Sequence, residues 1–304
     1  MDITWGAAPG AEVAWGGMIA IYLFLAGIAG GAFLTSALTD LLHKNRPLKV
    51  ITAGAYIAPV SIIIGLGLLI LDLGRPFSFW KLLFNVNFGS VMAIGVFIIS
   101  GFTFLSLIYA FLVYQPAFAA NKLGLTTAAM ETAATGSGKG VLRKATAGLG
   151  AVFALGLTTY TGFLLSAVYT NNLWSTPFPG LPGIPFLPIL FLVSGVSAGL
   201  AATLLGSRNC HDLKPYKILD IVLLALELVL LLIFYASVQS VYFSGSTGAL
   251  FWLGVLAVGL ALPLVMGVYG LRTGKDLLIP VCTLVVIGGL CLRIFVVYAG
   301  QLFN

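Results

Sequence analysis

Eight long apolar runs follow one another along the chain, and they limit its possible folds more than any other feature of the sequence. A helix needs about twenty apolar residues to cross roughly 30 Å of hydrocarbon, and each run meets that length. The runs cover residues 15–38, 50–71, 90–114, 146–169, 187–205, 217–239, 249–271 and 277–298. They predict an all-α integral membrane protein, a helix bundle of eight transmembrane helices that forms a single polytopic membrane domain over residues 1–304.

Charged residues are too scarce to build a water-facing surface. They make up 8% of the chain, whereas soluble domains carry about 25%. The net charge of +6 comes from basic residues in the loops between apolar runs, where such residues set membrane orientation. We therefore expect membrane lipid as the surroundings of the protein and no nucleic acid as a partner.

The basic residues of the loops are divided unequally between the two faces of the membrane. One face carries Lys44, Arg46, Lys49, Lys122, Lys139, Arg143, Lys144, Arg208, Lys214, Lys217, Arg272 and Lys275. The other face has only Arg75 and Lys81. By the positive-inside rule, the first face is cytoplasmic. Because the number of spans is even, both termini are predicted on the extracytoplasmic side.

Ligands for redox metals are nearly absent from the sequence. Ligation of haem by two histidines requires imidazoles that face each other across helices. The two histidines, His43 and His211, both fall in loops. The three cysteines, Cys210, Cys282 and Cys291, form no CxxC pair. We therefore expect no haem and no metal in this protein, so any electron transfer must use a diffusible organic carrier and the cofactor of a partner.

Two ionisable residues fall inside predicted spans, where insertion scales assign a charge a cost of about 2.5–3.5 kcal/mol. Glu227 lies near the middle of the sixth span, and Arg293 lies in the eighth span close to its outer end. The glutamate has three possible states: protonated, paired with a cation, or relaying protons. For the arginine, snorkelling towards the interface is the alternative to a functional role. Both are candidate proton-transfer residues.

The segment 71–84, LDLGRPFSFWKLLF, ends the second span and continues along the membrane surface. Proline cannot continue a helix, and the aromatic rings that follow are typical of the membrane interface. Asp72 and Arg75 lie three residues apart in this segment. An ordinary surface ion pair is one interpretation, but the neighbouring Gly74 and Pro76 favour a binding role.

Two tyrosines are predicted at similar depth in the outer half of the membrane, Tyr22 on the first span and Tyr160 on the fourth. Each alone is more typical of packing. A quinone head group needs hydrogen-bond donors for its two carbonyl oxygens within an apolar pocket, and tyrosine offers such a donor on a mostly apolar body. With Asp72 and Arg75, they form a candidate quinone-binding set.

Two further segments predict close contacts. Gly27 and Gly31 form a small-xxx-small pair, which lets another helix approach closely. The predicted outer loop 175–188 contains five prolines and no charge. That loop is either a docking face for another protein or an ordinary capping loop.

Three stretches together resemble the NrfD/PsrC family of membrane subunits. They are WGGMIAIYLFLAGIAGGAFL at 15–34, LDLGRPFSFWKLLFNVNFGSVMAIG at 71–95, and TYTGFLLSAVYTNN at 159–172 followed by LPILFLVSGVSAG at 187–199. These stretches cover most of the first five predicted spans. The last three spans match by hydropathy only.

The resemblance implies an eight-span subunit without haem in the bacterial inner membrane. Members of the family anchor a periplasmic iron–sulfur, ferredoxin-like subunit and through it a catalytic subunit of the molybdopterin or multihaem type. They exchange electrons with menaquinone or ubiquinone. The quinone site falls within residues 15–205 and includes Tyr22, Tyr160, Asp72 and Arg75, while the remaining helices lie at about 217–298.

The resemblance implies a mechanism in which Asp72 exchanges protons with the outer aqueous phase. In this mechanism, Glu227 extends a proton path towards the cytoplasm. The protein is then the quinol/quinone-reactive subunit of an oxidoreductase whose substrate chemistry belongs to a partner subunit. Nitrite, polysulfide, thiosulfate, tetrathionate and arsenate all remain open as substrates. A secondary transporter or ion-translocating protein and a purely structural anchor are the alternatives.

Overall fold

The computed structural model describes residues 16–42, 47–72, 91–123, 138–168, 172–208, 210 and 213–301, and eight membrane-length helices account for most of them. The helices are α1 Gly17–Leu42, α2 Leu48–Asp72, α3 Val91–Leu123, α4 Gly138–Ser166, α5 Phe186–Gly206, α6 Lys214–Ser237, α7 Gly245–Thr273 and α8 Leu278–Ala299. The predicted eight-span helical membrane fold is therefore confirmed.

Helix α4 begins earlier than the hydropathy predicts. The prediction starts this span at Thr146, but the helix starts at Gly138 and carries Arg143 and Lys144 within it. Hydropathy misses this part because its basic side chains lower the local average, whereas nothing in GKGVLRK except its glycines opposes a helix. As a result, Arg143 lies on a helix and not in a connecting loop.

Helix α1 is the centre of the bundle and packs against α2, α4, α5 and α8. Its small residues make this possible. A Cβ added at Gly31 would overlap the backbone of α5 at Gly195, and one added at Gly199 would overlap α1 at Gly31. The close helix approach predicted from Gly27 and Gly31 is confirmed. For orientation, we call the two ends of the bundle the Gly17 end, where α1 begins, and the Leu42 end, where α1 ends.

The proline-rich connection between α4 and α5 forms a small antiparallel hairpin at the Gly17 end, with strands β1 Pro177–Phe178 and β2 Leu181–Pro185. Trp174, just before the hairpin, donates a hydrogen bond from Nε1 to the carbonyl oxygen of Val296, 2.8 Å away. A Cβ added at Gly300 would overlap the same indole ring. The connection is thus fastened to the end of α8.

Helix α7 changes its winding along its length. A 3₁₀ turn, Ser240–Phe243, precedes it, and its stretch Leu250–Ala261 is π-helical between two α-helical parts. Inside this stretch, Gly259 meets Gly288 of α8 backbone to backbone. π-Helical winding is rare and is mostly confined to single turns, so a stretch of this length is unusual.

The outward faces of the helices are apolar, as a lipid-facing surface requires. On α3, Phe97, Phe104 and Phe111 recur every seven residues, and all three are more than half exposed. Exposed aromatic rings at this spacing form one continuous stripe along a helix. A soluble protein rarely shows such a contiguous apolar surface, and a bilayer covers it.

Candidate functional site

Tyr22 of α1 and Tyr160 of α4 lie beside each other in the half of the bundle nearer the Gly17 end. They are 1% and 6% exposed, and they are close enough to interact electrostatically. Within the described part of the chain, neither hydroxyl has a hydrogen-bond partner. Neither oxygen is among the fully enclosed unpaired atoms of these residues, so both hydroxyls are donors that a ligand offering acceptors can reach.

Two glycines from neighbouring helices make room for the tyrosine rings. Gly65 of α2 faces Tyr22, and its added Cβ would lie 3.4 Å from Cδ2 of that ring. Gly95 of α3 faces Tyr160 so closely that any side chain there would overlap the phenol. The tyrosine pair is therefore enclosed by α1, α2, α3 and α4, which belong to residues 15–205, where the resemblance implies the quinone site.

Asp72 is further from the pair than the sequence suggests. It is exposed at the last residue of α2, two helical turns beyond Gly65, which corresponds to about 10 Å along the axis. Arg75, the other member of the predicted set, lies outside the described residues. Of the four residues, the structure brings Tyr22 and Tyr160 together and places Asp72 at the rim above them.

Arg293 of α8 is buried in the bundle interior, with 1% of its surface exposed. Its Nη1 donates to Oγ of Ser194 at 3.1 Å, and its Nη2 donates to the carbonyl oxygen of Phe191 at 3.2 Å. The guanidinium carbon lies 4.0 Å from the centroid of the Phe191 ring. The snorkelling alternative is wrong, because Gly27 of α1 leaves space for the guanidinium to remain inside.

Glu227 of α6 connects to Arg293 through Ser194. Its carboxyl interacts with the Ser194 hydroxyl, which accepts a hydrogen bond from Arg293, so the hydroxyl lies between the guanidinium and the carboxyl. Asp220 lies on the same helix, two turns nearer the Leu42 end, and interacts electrostatically with Glu227. We call Arg293, Ser194, Glu227 and Asp220 the Arg293 cluster.

The Arg293 cluster is incompletely satisfied. Four buried side-chain atoms of the described residues have no hydrogen-bond partner, and three of them belong to this region: Asp220 Oδ1, Ser197 Oγ and Arg293 Nε. Ser197 lies one turn along α5 from Ser194. Buried polar atoms of this kind are commonly satisfied by internal water. The cluster is therefore suited to carry protons and not only to hold helices together.

Sequence reasoning misses Asp220 and Ser194. Asp220 attracts little attention because it follows the basic end of α6 closely. The available signal is its spacing from Glu227: the two residues are two turns apart and so face the same side of one helix. Serine gives no signal, since most serines in apolar spans bond to their own helix backbone.

A second buried charge pair lies at the Leu42 end. Arg143 of α4 contacts Asp40 of α1, with 2.5 Å between Nη2 and Oδ1. Tyr109 of α3 donates to the other carboxylate oxygen at 3.2 Å, and the Ser36 hydroxyl donates to the carbonyl oxygen of Ile51 on α2. The side chains of Asp40, Arg143, Tyr109 and Ser36, the Asp40 cluster, join α1, α2, α3 and α4. Both carboxylate oxygens have partners.

Two cavities open near the ends of the bundle. The larger, about 440 Å³, lies at the Leu42 end between α5, α6, α7 and α8, and we call it the loop cavity. Asp220, Lys217 and Cys282 are among its lining residues. The smaller, about 220 Å³, lies at the Gly17 end between the segment before the hairpin and the start of the α6–α7 connection.

The eight-helix fold and the ionisable groups inside it define a multi-pass membrane protein with a polar interior. The protein belongs to the polysulphide reductase NrfD family, whose sequence model it matches over residues 7–304. It is 33% identical to the C subunit of polysulfide reductase from Wolinella succinogenes, over 100% of this sequence and 99% of that protein.

Two other relatives are similar over nearly their whole length. The NrfD homolog of Haemophilus influenzae is 31% identical, over 96% of this sequence and 95% of the relative. Protein NrfD of Escherichia coli is 30% identical, over 96% of both sequences. The resemblance noted in the sequence is thereby confirmed, and it extends over all eight helices.

Proposed function

We propose that this protein is the membrane anchor and quinone-reactive subunit of a respiratory oxidoreductase, passing electrons between the quinone pool and an iron–sulfur partner. One observation carries the proposal: Tyr22 and Tyr160 are buried side by side with unused hydroxyl donors. The family membership supports an assembly of several subunits, as does the name of the Wolinella succinogenes relative, which is one lettered component of polysulfide reductase.

The proposed orientation places the Gly17 end on the periplasmic side. Most of the basic residues that follow α1, α3, α5 and α7 belong to the other end, where Arg208, Lys214 and Lys275 surround the loop cavity. Positive residues concentrate on the cytoplasmic side. The tyrosine pair and the fastened hairpin then face the periplasm, where the iron–sulfur partner docks.

In the proposed mechanism, the tyrosines bind and orient the quinone. A bound quinone supplies two-electron chemistry coupled to two protons. Tyr22 and Tyr160 donate hydrogen bonds to its ring oxygens, and the enclosing helices exclude water from them. Such bonds are stronger in a dry site than in water. Asp72, exposed at the rim, exchanges protons with the outer aqueous phase, and Arg75 stabilises its charged form.

The Arg293 cluster offers a second route for protons, towards the Leu42 end. Arg293 Nη2 approaches Gly27, one and a half turns along α1 from Tyr22. From there, Ser194, Glu227 and Asp220 lead to the loop cavity. Glu227 holds or releases a proton midway, and the Arg293 guanidinium lies across Ser194 from it.

The test is quinol oxidation by the purified complex. Tyr22→Phe and Tyr160→Phe each remove one hydroxyl and leave the ring in place, so we expect quinol affinity to fall about fivefold to tenfold, the worth of one hydrogen bond in such a site. Tyr216→Phe is the matched control, because Tyr216 is also buried but donates to Thr39 at the Leu42 end. Wild-type affinity in both test variants would end the proposal.

Co-purification separates this function from the alternatives. We expect the protein to purify with an iron–sulfur protein and with bound quinone. A solitary protein that catalyses solute uptake in vesicles would favour a transporter. A complex that contains no quinone and ignores quinone-site inhibitors would favour a structural anchor.

A further inference from the structure

The loop cavity carries an excess of cationic side chains. Arg208, Lys214, Lys217 and Lys275 line it, against two carboxylates, Asp220 and Asp276. Asp276 is already paired, with 2.9 Å between its Oδ1 and Nζ of Lys217. Three cations therefore line a space of about 440 Å³ without a carboxylate partner among the described residues, and one of them, Lys275, donates to the hydroxyl of Tyr269 at 3.5 Å. This volume is in the usual range of small-molecule sites.

Two helices also begin at the wall of the cavity. Helix α6 starts at Lys214, and its N-cap residue makes no side-chain cap, whereas the first N–H of α8, at Leu278, donates to Oδ1 of Asp276 at 3.4 Å. The first turn of a helix exposes backbone N–H groups and a partial positive charge, which favour phosphate. The start of α6 and the three cations therefore select the same kind of ligand, an anion.

Asp220 adds a second requirement on the ligand. It is 2% exposed, lines the cavity, and its Oδ1 has no hydrogen-bond partner. An unpaired carboxyl oxygen accepts hydrogen bonds, so a ligand that satisfies the whole cavity must also present a donor. A hydroxyl or ammonium group next to the phosphate meets this need.

The surroundings of the cavity indicate where such a ligand comes from. Its walls include the apolar side chains of Ile221 and Met266, and the neighbouring outward faces of α6 and α7 expose Val222 and Val265. A ligand with a polar head in the cavity and an apolar tail can continue onto these lipid-facing surfaces. Basic pockets between membrane helices bind phospholipid head groups in this way.

We propose that the loop cavity is a binding site for one membrane phospholipid whose head group carries a phosphate and a hydrogen-bond donor, as in phosphatidylglycerol or phosphatidylethanolamine. The cations and the start of α6 hold the phosphate, and Asp220 accepts a hydrogen bond from the donor of the head group. This site lies at the opposite end of the bundle from the tyrosine pair, and it shares Asp220 with the proposed proton path.

Native mass spectrometry of the purified complex in mild detergent tests the proposal. The wild type retains one phospholipid, and the Lys214→Gln/Lys275→Gln double variant binds it roughly thirtyfold more weakly. The control is Lys144→Gln/Arg272→Gln, which removes two exposed cations at the same end that do not line the cavity. Equal retention in all three proteins would overturn the proposal.

Two titrations of delipidated complex then identify the head group. Phosphatidylglycerol or phosphatidylethanolamine restores the bound mass and raises the thermal midpoint, whereas phosphatidylcholine, which has no donor, does neither. Inorganic phosphate is the third probe. Stabilisation by phosphate alone, with no lipid bound, or equal binding of phosphatidylcholine, would overturn the lipid assignment.

Discussion

The two buried arginines of this bundle are held in opposite ways. Arg143, at the Leu42 end, contacts the carboxylate of Asp40 directly, and Tyr109 satisfies the other carboxylate oxygen. Arg293 has no carboxylate within 4 Å among the described residues, and it reaches Glu227 only through Ser194. Asp40 neutralises the charge of Arg143 by direct contact, whereas Ser194 separates the charge of Arg293 from that of Glu227.

This difference separates a structural role from a chemical one. The pair of Asp40 and Arg143 is in direct contact, and both carboxylate oxygens are bonded, so adding or removing a proton would not stabilise it further. Such a closed pair is suited to joining helices. A dispersed pair with unsatisfied neighbours can take up water or a proton, and buried ionisable groups inside a membrane mark functional paths. The Asp40 cluster therefore joins helices, and the Arg293 cluster is the candidate path.

Breaking the closed pair should give the largest loss of stability. Arg143→Met leaves the buried Asp40 uncompensated, and we expect the unfolding free energy to fall by about 3–5 kcal/mol. Unfolding in mixed-detergent titrations measures the change. The Asp40→Leu/Arg143→Met double variant removes both charges and should regain most of the loss. A double variant as unstable as the single one would mean that packing, not charge, holds this end.

Neutralising Glu227, the partner of Arg293 across Ser194, should lower turnover without destabilising the fold. Glu227→Gln keeps the size of the side chain and an acceptor beside Ser194, so we expect the unfolding free energy to change by less than about 1 kcal/mol. Loss of a positioned proton carrier should lower quinol-dependent turnover roughly a hundredfold. Both quantities are to be measured on one preparation. Normal turnover would remove Glu227 from the path.

Neutralising Asp220 should lower turnover less than neutralising Glu227. Because its Oδ1 has no partner, Asp220→Asn loses no hydrogen bond there, and we expect an unchanged or higher thermal midpoint. Turnover should fall about tenfold, less than for Glu227, since water in the loop cavity offers protons other routes. A marked loss of stability would show that Asp220 belongs with the structural pair instead.

The smallest effect on stability is expected from the exposed ion pair of Lys217 and Asp276. The Lys217 ammonium, which donates a hydrogen bond to Asp276, lowers the pKa of that carboxyl below its usual value. A lowered pKa means that the pair stabilises the fold above the unfolded-state pKa of about 4 and stops doing so as pH falls further. Asp276→Asn should therefore cost about 0.2–1 kcal/mol at neutral pH. Thermal midpoints of variant and wild type should converge near a pH of about 3.

Hydropathy predicts the helices of this fold well because the cost of placing polar residues in lipid is additive along a span. It fails at α4, where Arg143 is stabilised by Asp40, a residue about one hundred positions earlier in the sequence. The same reason explains the wrong snorkelling alternative for Arg293. Only the fold shows that Gly27 leaves room for its guanidinium and that Phe191 stacks on it.

The candidate site is predictable in part. Tyr22 and Tyr160 can be placed at one depth from the sequence, since depth follows from position along a span. Their contact cannot, because it depends on which helices are neighbours. For Asp72, the position at the end of α2 can be predicted from the sequence. Its distance from the tyrosines cannot, because that distance depends on the tilt and length of the helix.

The π-helical stretch of α7 has a consequence for any cross-linking map of this protein. An α-helical wheel puts positions 254 and 259 on different sides, yet both glycines lie against α8. A cysteine introduced at position 254 would bring its Cβ to 3.3 Å from that of the native Cys291, near the separation at which two thiols can join. The native Cys291 thus supplies one of the two thiols of a disulfide whose formation depends on the winding of the seventh helix. Oxidation of such a variant would report the register of that helix directly.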